Sequence, residues 1–284
     1  MQKGDTYMDM PHIFRSLPDG RNVCYAWFSA MHTRIDVALL DDRSEQKMNR
    51  LVSRLHDLIV ATEKLASCFD EESELARVNR EAFRHPVLLT GELFSVLSLC
   101  RHYQLLTGGL FDITTDSDDF RPDTFSQVFL SDDRHIRFFR EGIRLNLSGF
   151  LKGYALDKVW TCLSEQGITD ALVNMGNSSV LALGRQPGEN AWSVGTPDHP
   201  ELNVSLHDQC LTTSGNDSLE RRHIVDPRTG RFVEGQRAVS VVTTGGSEGE
   251  VFSTCCFITT PAEREALRER FNIERIMVAL PSCP

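Results

Sequence analysis

Leu145-Asn146-Leu147-Ser148-Gly149-Phe150-Leu151-Lys152-Gly153-Tyr154-Ala155-Leu156-Asp157 is the stretch whose reading decides the fold. Leu145 and Leu147 alternate with polar neighbours and predict a strand end. Ser148 and Gly149 break that pattern. From Lys152 onward Tyr154, Val159, Trp160 and Leu163 recur at helical spacing, and Gly167 closes the helix. Backbone N–H groups and a lysine at a helix start suit an anion, phosphate in particular. The stretch is not a P-loop, because GxxxxGK[ST] is absent. On these residues alone an ordinary strand-to-helix turn with a surface lysine is the better account of the pattern.

Working outward, the chain before this turn is rich in helix. Residues 44–66 place Met48, Leu51, Val52, Leu55, Leu58, Ile59 and Leu65 on one face, with Ser44 as a cap. A polar loop through Ser67-Cys68-Phe69 leads to a short helix ending near Asn79. A long helix follows Thr90 and stops at Gly108-Gly109. Earlier, Tyr25 to Phe28 and Ile35 to Leu40 predict a strand pair around Met31-His32-Thr33, preceded by a polar extension over residues 1–21. The aspartate-rich residues 115–135 show little periodicity and are read as a loop.

Beyond the turn, strands are expected at Ala171 to Met175, Val180 to Leu183, Trp192 to Val194, Leu202 to Leu206 and Val239 to Thr243. Helices are expected from Glu250 to Ile258 and from Ala262 to Phe271, then a strand from Ile276 to Leu280. Helices in the first half and strands in the second predict an α+β protein, its helices packed on antiparallel sheet.

The 284 residues are enough to bury a real core, and 40% hydrophobic with 25% charged residues is globular composition. A net charge of -10 argues against nucleic acid as the partner. Eight cysteines occur with no CxxC pair, which removes a zinc ribbon and a thioredoxin motif and suits reduced thiols. No apolar run is long enough to span a bilayer, and neither a signal peptide nor a lipobox precedes Cys24, so the chain as given reads as cytoplasmic.

Three further stretches can carry chemistry. His223-Ile224-Val225-Asp226-Pro227-Arg228-Thr229-Gly230 holds a histidine able to relay a proton, or a strand ending in a turn with a half-buried histidine. Thr213-Ser214-Gly215, read as lying between strands, lets a ligand approach backbone, as do many plain turns. Glu250, Ser253 and Thr254 share one face of a helix start and can present three oxygens to magnesium or calcium. The alternative is a glutamate complementing the helix dipole.

Taken in order, these stretches resemble the FAD-dependent flavin transferases, the ApbE family. Met31-His32-Thr33 is similar to the family's Met-Gly-Thr, and Ser73-Glu74-Leu75 with Asn79 to its Ser-Glu-Leu…Asn. Gly109-Leu110-Phe111-Asp112-Ile113-Thr114 resembles Gly-Ala-Phe-Asp-Pro-Thr. Leu147 to Asp157 follows Leu-Gly-Gly-Ile-Ala-Lys-Gly-Tyr-Ala-x-Asp, and Asn174-Met175-Gly176, Thr213-Ser214-Gly215 and His223 to Gly230 come next in the family's order. The resemblance runs from about residue 25 to 280 and implies one T-fold-like flavin transferase domain over residues 22–284.

The implied activity is magnesium-dependent transfer of FMN from FAD to a threonine or serine hydroxyl of a target protein, with AMP leaving. Carried over position by position, Met31, Phe69, Leu110, Phe111, Asp112, Asn146, Lys152 and Val225 would contact FAD. Gly149, Glu250, Ser253 and Thr254 would hold the metal, and His223 would handle a proton or contact phosphate. The chain departs from the family at His32 and Asn177, each for glycine, and at Asn146 for aspartate. Thr115-Asp116-Ser117 stands in place of a glycine-proline turn, and Glu250 in place of the metal-binding aspartate. Two other outcomes belong to the same residues: FAD binding with little or no transfer, and FAD pyrophosphatase activity giving FMN and AMP.

Overall fold

The computed structural model describes residues 8–67, 70–196, 199–216, 223–235 and 237–279. In chain order the first elements are β1 (His12–Ser16), β2 (Asn22–Ala30), β3 (Thr33–Asp41), α1 (Glu45–Ala66), α2 (Glu74–Glu81), β4 (Val87–Leu88), α3 (Gly91–Leu106), β5 (Val128–Leu130) and β6 (His135–Phe138). Then come α4 (Leu151–Glu165), β7 (Asp170–Met175), β8 (Ser179–Leu183), β9 (Trp192–Thr196), β10 (His199–Leu206), β11 (Gln209–Asn216), β12 (Val225–Asp226) and β13 (Arg231–Phe232). The last are β14 (Arg237–Thr243), α5 (Gly246–Ile258), α6 (Pro261–Phe271) and β15 (Arg275–Ala279). The architecture is α+β, as the order of patterns predicts.

The chain divides into two compact units. One comprises Met1–Ala61, Lys152–Thr213 and Val241–Gly249; the other comprises Thr62–Leu151, Ser214–Ser240 and Glu250–Pro284. In the first unit the strand order β1-β2-β3-β7-β8-β11 is antiparallel throughout. Alternation on β2 and β3 sends Cys24, Ala26, Phe28, Ile35, Val37 and Leu39 to one face. There they join the apolar stripes of α1 (Met48, Val52, Leu55, Ile59) and α4 (Leu156, Val159, Leu163) in one core. The β2–β3 hairpin turns at Met31 and His32, both with positive φ, 51° and 57°. Residues other than glycine carry strain in that conformation.

The second unit holds α2, α3, a three-stranded sheet in the order β4-β6-β5, the β12–β13 hairpin and α6. Its aromatic centre is Tyr103, Phe111, Phe150 and Phe252, with ring centroids 5.8–6.4 Å apart where they meet. No helix of the described residues is long and apolar enough to cross a membrane.

Several expectations change. Residues 143–147 are not a strand, although Leu145 and Leu147 are buried. The Leu145 N–H donates to Asn79 Oδ1 at 2.8 Å, and Asn79 Nδ2 donates to the Leu145 carbonyl at 2.9 Å. One side-chain amide thus does for this segment what a neighbouring strand would do. His12–Ser16, inside the expected extension, pairs with β2. Residues 115–135, expected as a loop, contain a 3-10 turn over Thr124–Gln127 and strand β5. Thr213-Ser214-Gly215 lies within β11 rather than between strands. Helix α5 begins at Gly246, so Glu250 sits one turn inside it and not at its start.

Candidate functional site

Helix α5 is fixed at its start by α4. Asp157 Oδ1 accepts from the Gly246 N–H at 2.6 Å, and Oδ2 from the Ser247 N–H at 3.0 Å. A carboxylate on free N–H groups also complements the helix dipole. A Cβ at Gly246 would lie 2.4 Å from the Gly153 carbonyl oxygen, so only glycine allows this approach. The Lys-Gly-Tyr…Asp pattern is therefore first a device for seating α5.

One turn further on, α5 presents oxygens. Ser253 Oγ lies 2.8 Å from Ser214 Oγ of β11, and Thr254 Oγ1 lies 3.3 Å from the same atom. Ser253 Oγ donates to the Glu250 carbonyl at 3.2 Å. Ser253 is fully buried, Glu250 is 9% exposed, and Thr254 is half-buried. Among the described residues no three His, Cys, Asp or Glu side chains gather as metal ligands. Glu250, Ser253 and Thr254 share one face of α5, and an all-oxygen set of this kind fits a hard cation such as magnesium better than zinc. Gly149 stands in the turn before α4, and a Cβ there would meet no atom within 4 Å.

The expected FAD residues fall in both units: Met31 and Lys152 in the first, Leu110, Phe111, Asp112, Asn146, His223 and Val225 in the second. Phe69 lies outside the described residues. Lys152 Nζ donates to Ser178 Oγ at 2.6 Å, a bond that orients the ammonium and leaves two of its three protons for other acceptors. Asn146 Oδ1 accepts from the Ser148 N–H at 2.8 Å and from its hydroxyl at 2.6 Å. Its amide nitrogen donates to Asp116 Oδ2 at 2.6 Å. An aspartate at 146 would set two carboxylates against each other, so Asn146 and Asp116 suit one another.

Asn177, where the resemblance implies glycine, has φ 60°, and its N–H donates to Asn174 Oδ1 at 2.9 Å. Asparagine is the side chain that best tolerates this left-handed conformation after glycine. Phe111 is buried against Phe150. Asp112 is buried too: Oδ1 accepts from the Thr114 N–H at 2.7 Å and hydroxyl at 2.6 Å, while Oδ2 has no partner. Burial raises the Asp112 pKa above the ordinary carboxylate value, against the lowering by Thr114.

His223 is exposed rather than half-buried, and Val225 pairs with Phe232 in the β12–β13 hairpin. The Asp-Pro-Arg-Thr-Gly turn of that hairpin is held by Arg228, whose Nη2 donates to Asp226 Oδ2 at 2.9 Å and whose Nη1 donates to Glu263 at 2.8 Å. Ser214, Ser178, Asp116 and Asp157 were not among the expected site residues. Ser214 carried a signal as the small hydroxyl of Thr213-Ser214-Gly215, Asp157 as the last residue of the Leu147–Asp157 motif and Asp116 within Thr115-Asp116-Ser117; Ser178 carried none.

The fold has relatives among solved structures. The flavin transferase ApbE from Vibrio cholerae superposes with TM-score 0.76 at 18% identity, covering 96% of this chain and 95% of that one. The ApbE protein of Thermotoga maritima gives 0.76 at 19% identity, covering 91% and 94%. In sequence, a FAD:protein FMN transferase of Klebsiella pneumoniae is 26% identical over 265 residues, 80% of this chain and 82% of its own. One of Treponema pallidum is 23% identical over 284 residues, 83% and 78%. The ApbE family model matches residues 31–118 and 117–277. That match takes in the α4 turn, the β11 serine and the α5 oxygens alike, and the chain belongs to the ApbE family.

Proposed function

We propose that this protein transfers FMN from FAD to a threonine or serine hydroxyl of an acceptor protein, releasing AMP. Family membership and the activity named for its relatives support the reading. The observation that carries it in the molecule is the oxygen group of α5: Ser253 and Thr254 with Ser214 against both hydroxyls, and Glu250 one turn earlier on the same helix face. A bound magnesium ion would be held by Glu250, Thr254, Ser253 and the Gly149 carbonyl, and would supply charge neutralisation at the diphosphate. The bond broken is a pyrophosphate, so positioning and charge matter more than a protein nucleophile.

In this reading Lys152, oriented by Ser178, brings a positive charge to the diphosphate. Met31, Leu110, Phe111, Asp112, Asn146 and Val225 contact FAD. His223, exposed on the β12–β13 side, takes the proton of the acceptor hydroxyl as its oxygen bonds to phosphorus and AMP departs. The six described cysteines are free and buried, and burial pushes the Cys24 thiol up to about 11, so that thiol takes no part in the chemistry.

The test incubates the protein with FAD, magnesium and a candidate acceptor, and follows AMP release and acceptor mass. Transfer predicts both. AMP without mass gain would make the protein a FAD pyrophosphatase. Bound FAD without AMP would make it a flavin-binding protein, the reading that Glu250 in an aspartate position favours.

A further inference from the structure

Three hydroxyls and one carbonyl meet where β11 packs on α5, and a single assignment of their protons makes all three contacts hydrogen bonds. Each hydroxyl has one proton and two acceptor lone pairs. The Glu250 carbonyl can only accept, so for that 3.2 Å contact to be a hydrogen bond the Ser253 proton must lie in it. In the 2.8 Å contact between Ser253 and Ser214, Ser214 is then the donor. With its proton engaged, Ser214 accepts in the 3.3 Å contact with Thr254. The chain runs Thr254 to Ser214 to Ser253 to the Glu250 carbonyl.

We infer that Ser214 is a positioning residue for the cation site: it takes the Thr254 proton and turns the Thr254 lone pairs outward, while Ser253 anchors the relay and is not itself a ligand. The inference rests on the metal-assisted function proposed above and revises one of its ligands. Burial agrees with the division of roles. Ser253 is fully buried, accepts one bond and donates one. Thr254 is half-buried, and its only contact on the relay is the one in which it donates. A threonine free to rotate would point its proton at an approaching cation for part of the time. Outer partners that orient ligands in this way are worth about 10–100-fold in metal affinity.

The test measures binding of manganese(II), as a spectroscopic stand-in for magnesium, to the whole chain by electron paramagnetic resonance without FAD. Ser214→Ala is expected to weaken manganese binding about tenfold, with circular dichroism unchanged, and Ser214→Thr, which keeps the hydroxyl, is expected to restore it. Ser253→Ala is expected to match Ser214→Ala, and the double variant to be no weaker than either single one, because both break the same relay. Two independent losses that multiply would make Ser253 a ligand in its own right and overturn the relay. So would wild-type affinity in Ser214→Ala. Manganese binding that follows the relay pattern without AMP release from FAD would leave the positioning role standing and remove the transfer reading alone. No manganese binding by the wild-type chain would overturn both.

Discussion

The Ser73–Asn79 block and the Glu250–Thr254 turn both lie in motifs of the family, yet their polar groups do different work. In the first block every named polar side chain is bonded to protein. Ser73 Oγ accepts from the Ala76 N–H at 2.9 Å and caps α2. Glu74 accepts from the Thr90 N–H and hydroxyl at 2.7 and 2.6 Å, and Asn79 bonds both backbone groups of Leu145. On α5 the Thr254 hydroxyl has lone pairs left over, on the helix face it shares with Glu250. A motif residue is thus assigned to fold or to chemistry by where its hydrogen bonds end, not by its place in a pattern.

The sharpest way to break this contrast is at Glu250. Glu250→Ala should lower AMP release about 100-fold or more and abolish its metal dependence, in keeping with the several kcal/mol a bound metal supplies. Glu250→Asp should keep or raise activity. Turnover left unchanged by both variants would take Glu250 out of the metal site.

Asn79→Ala should act on stability instead. Leu145 is 1% exposed, and its N–H and carbonyl would both lose their partner. An unsatisfied buried group costs about 1–3 kcal/mol, so a loss of roughly 2–4 kcal/mol is expected in urea unfolding. A loss below about 0.5 kcal/mol would show that another group covers Leu145.

Asp157→Ala is expected to cost about 1–2 kcal/mol, the scale of a lost helix cap, since the Gly246 and Ser247 N–H groups lose their acceptors. An unchanged melting temperature would show that α5 is seated by packing alone.

The smallest effect is expected at Asp112, and its sign depends on pH. Burial holds the folded-state pKa above the unfolded one. The protonated carboxyl is therefore favoured by folding, and that contribution is complete below the unfolded value of about 4. It fades as pH rises through the folded value. Asp112→Asn keeps the Oδ1 acceptor for Thr114 and carries no charge, so it should raise the melting temperature at pH 7 and do so less at pH 3.5. An equal or opposite effect at pH 7 would mean that the unpartnered oxygen is not penalised.

Much of the molecule follows from local pattern. Periodicity places α1, α3, α4 and the β2–β3 hairpin to within a few residues, because a helix face or a strand face repeats within the segment itself. The sequence alone also determines that Glu250, Ser253 and Thr254 share one face of a helix, and it carries the ordered motifs of the family. Tertiary structure decided the rest. Leu145 and Leu147 alternate as a strand does, yet their segment is bonded to the side chain of Asn79, 66 residues earlier. Thr213-Ser214-Gly215 carries turn-forming residues, yet it is strand, and Ser214 meets a hydroxyl 39 residues later in the chain. The physical reason is the same in both places. A polar group is satisfied by whichever partner the fold delivers, and a partner tens of residues away leaves no periodic trace in the chain.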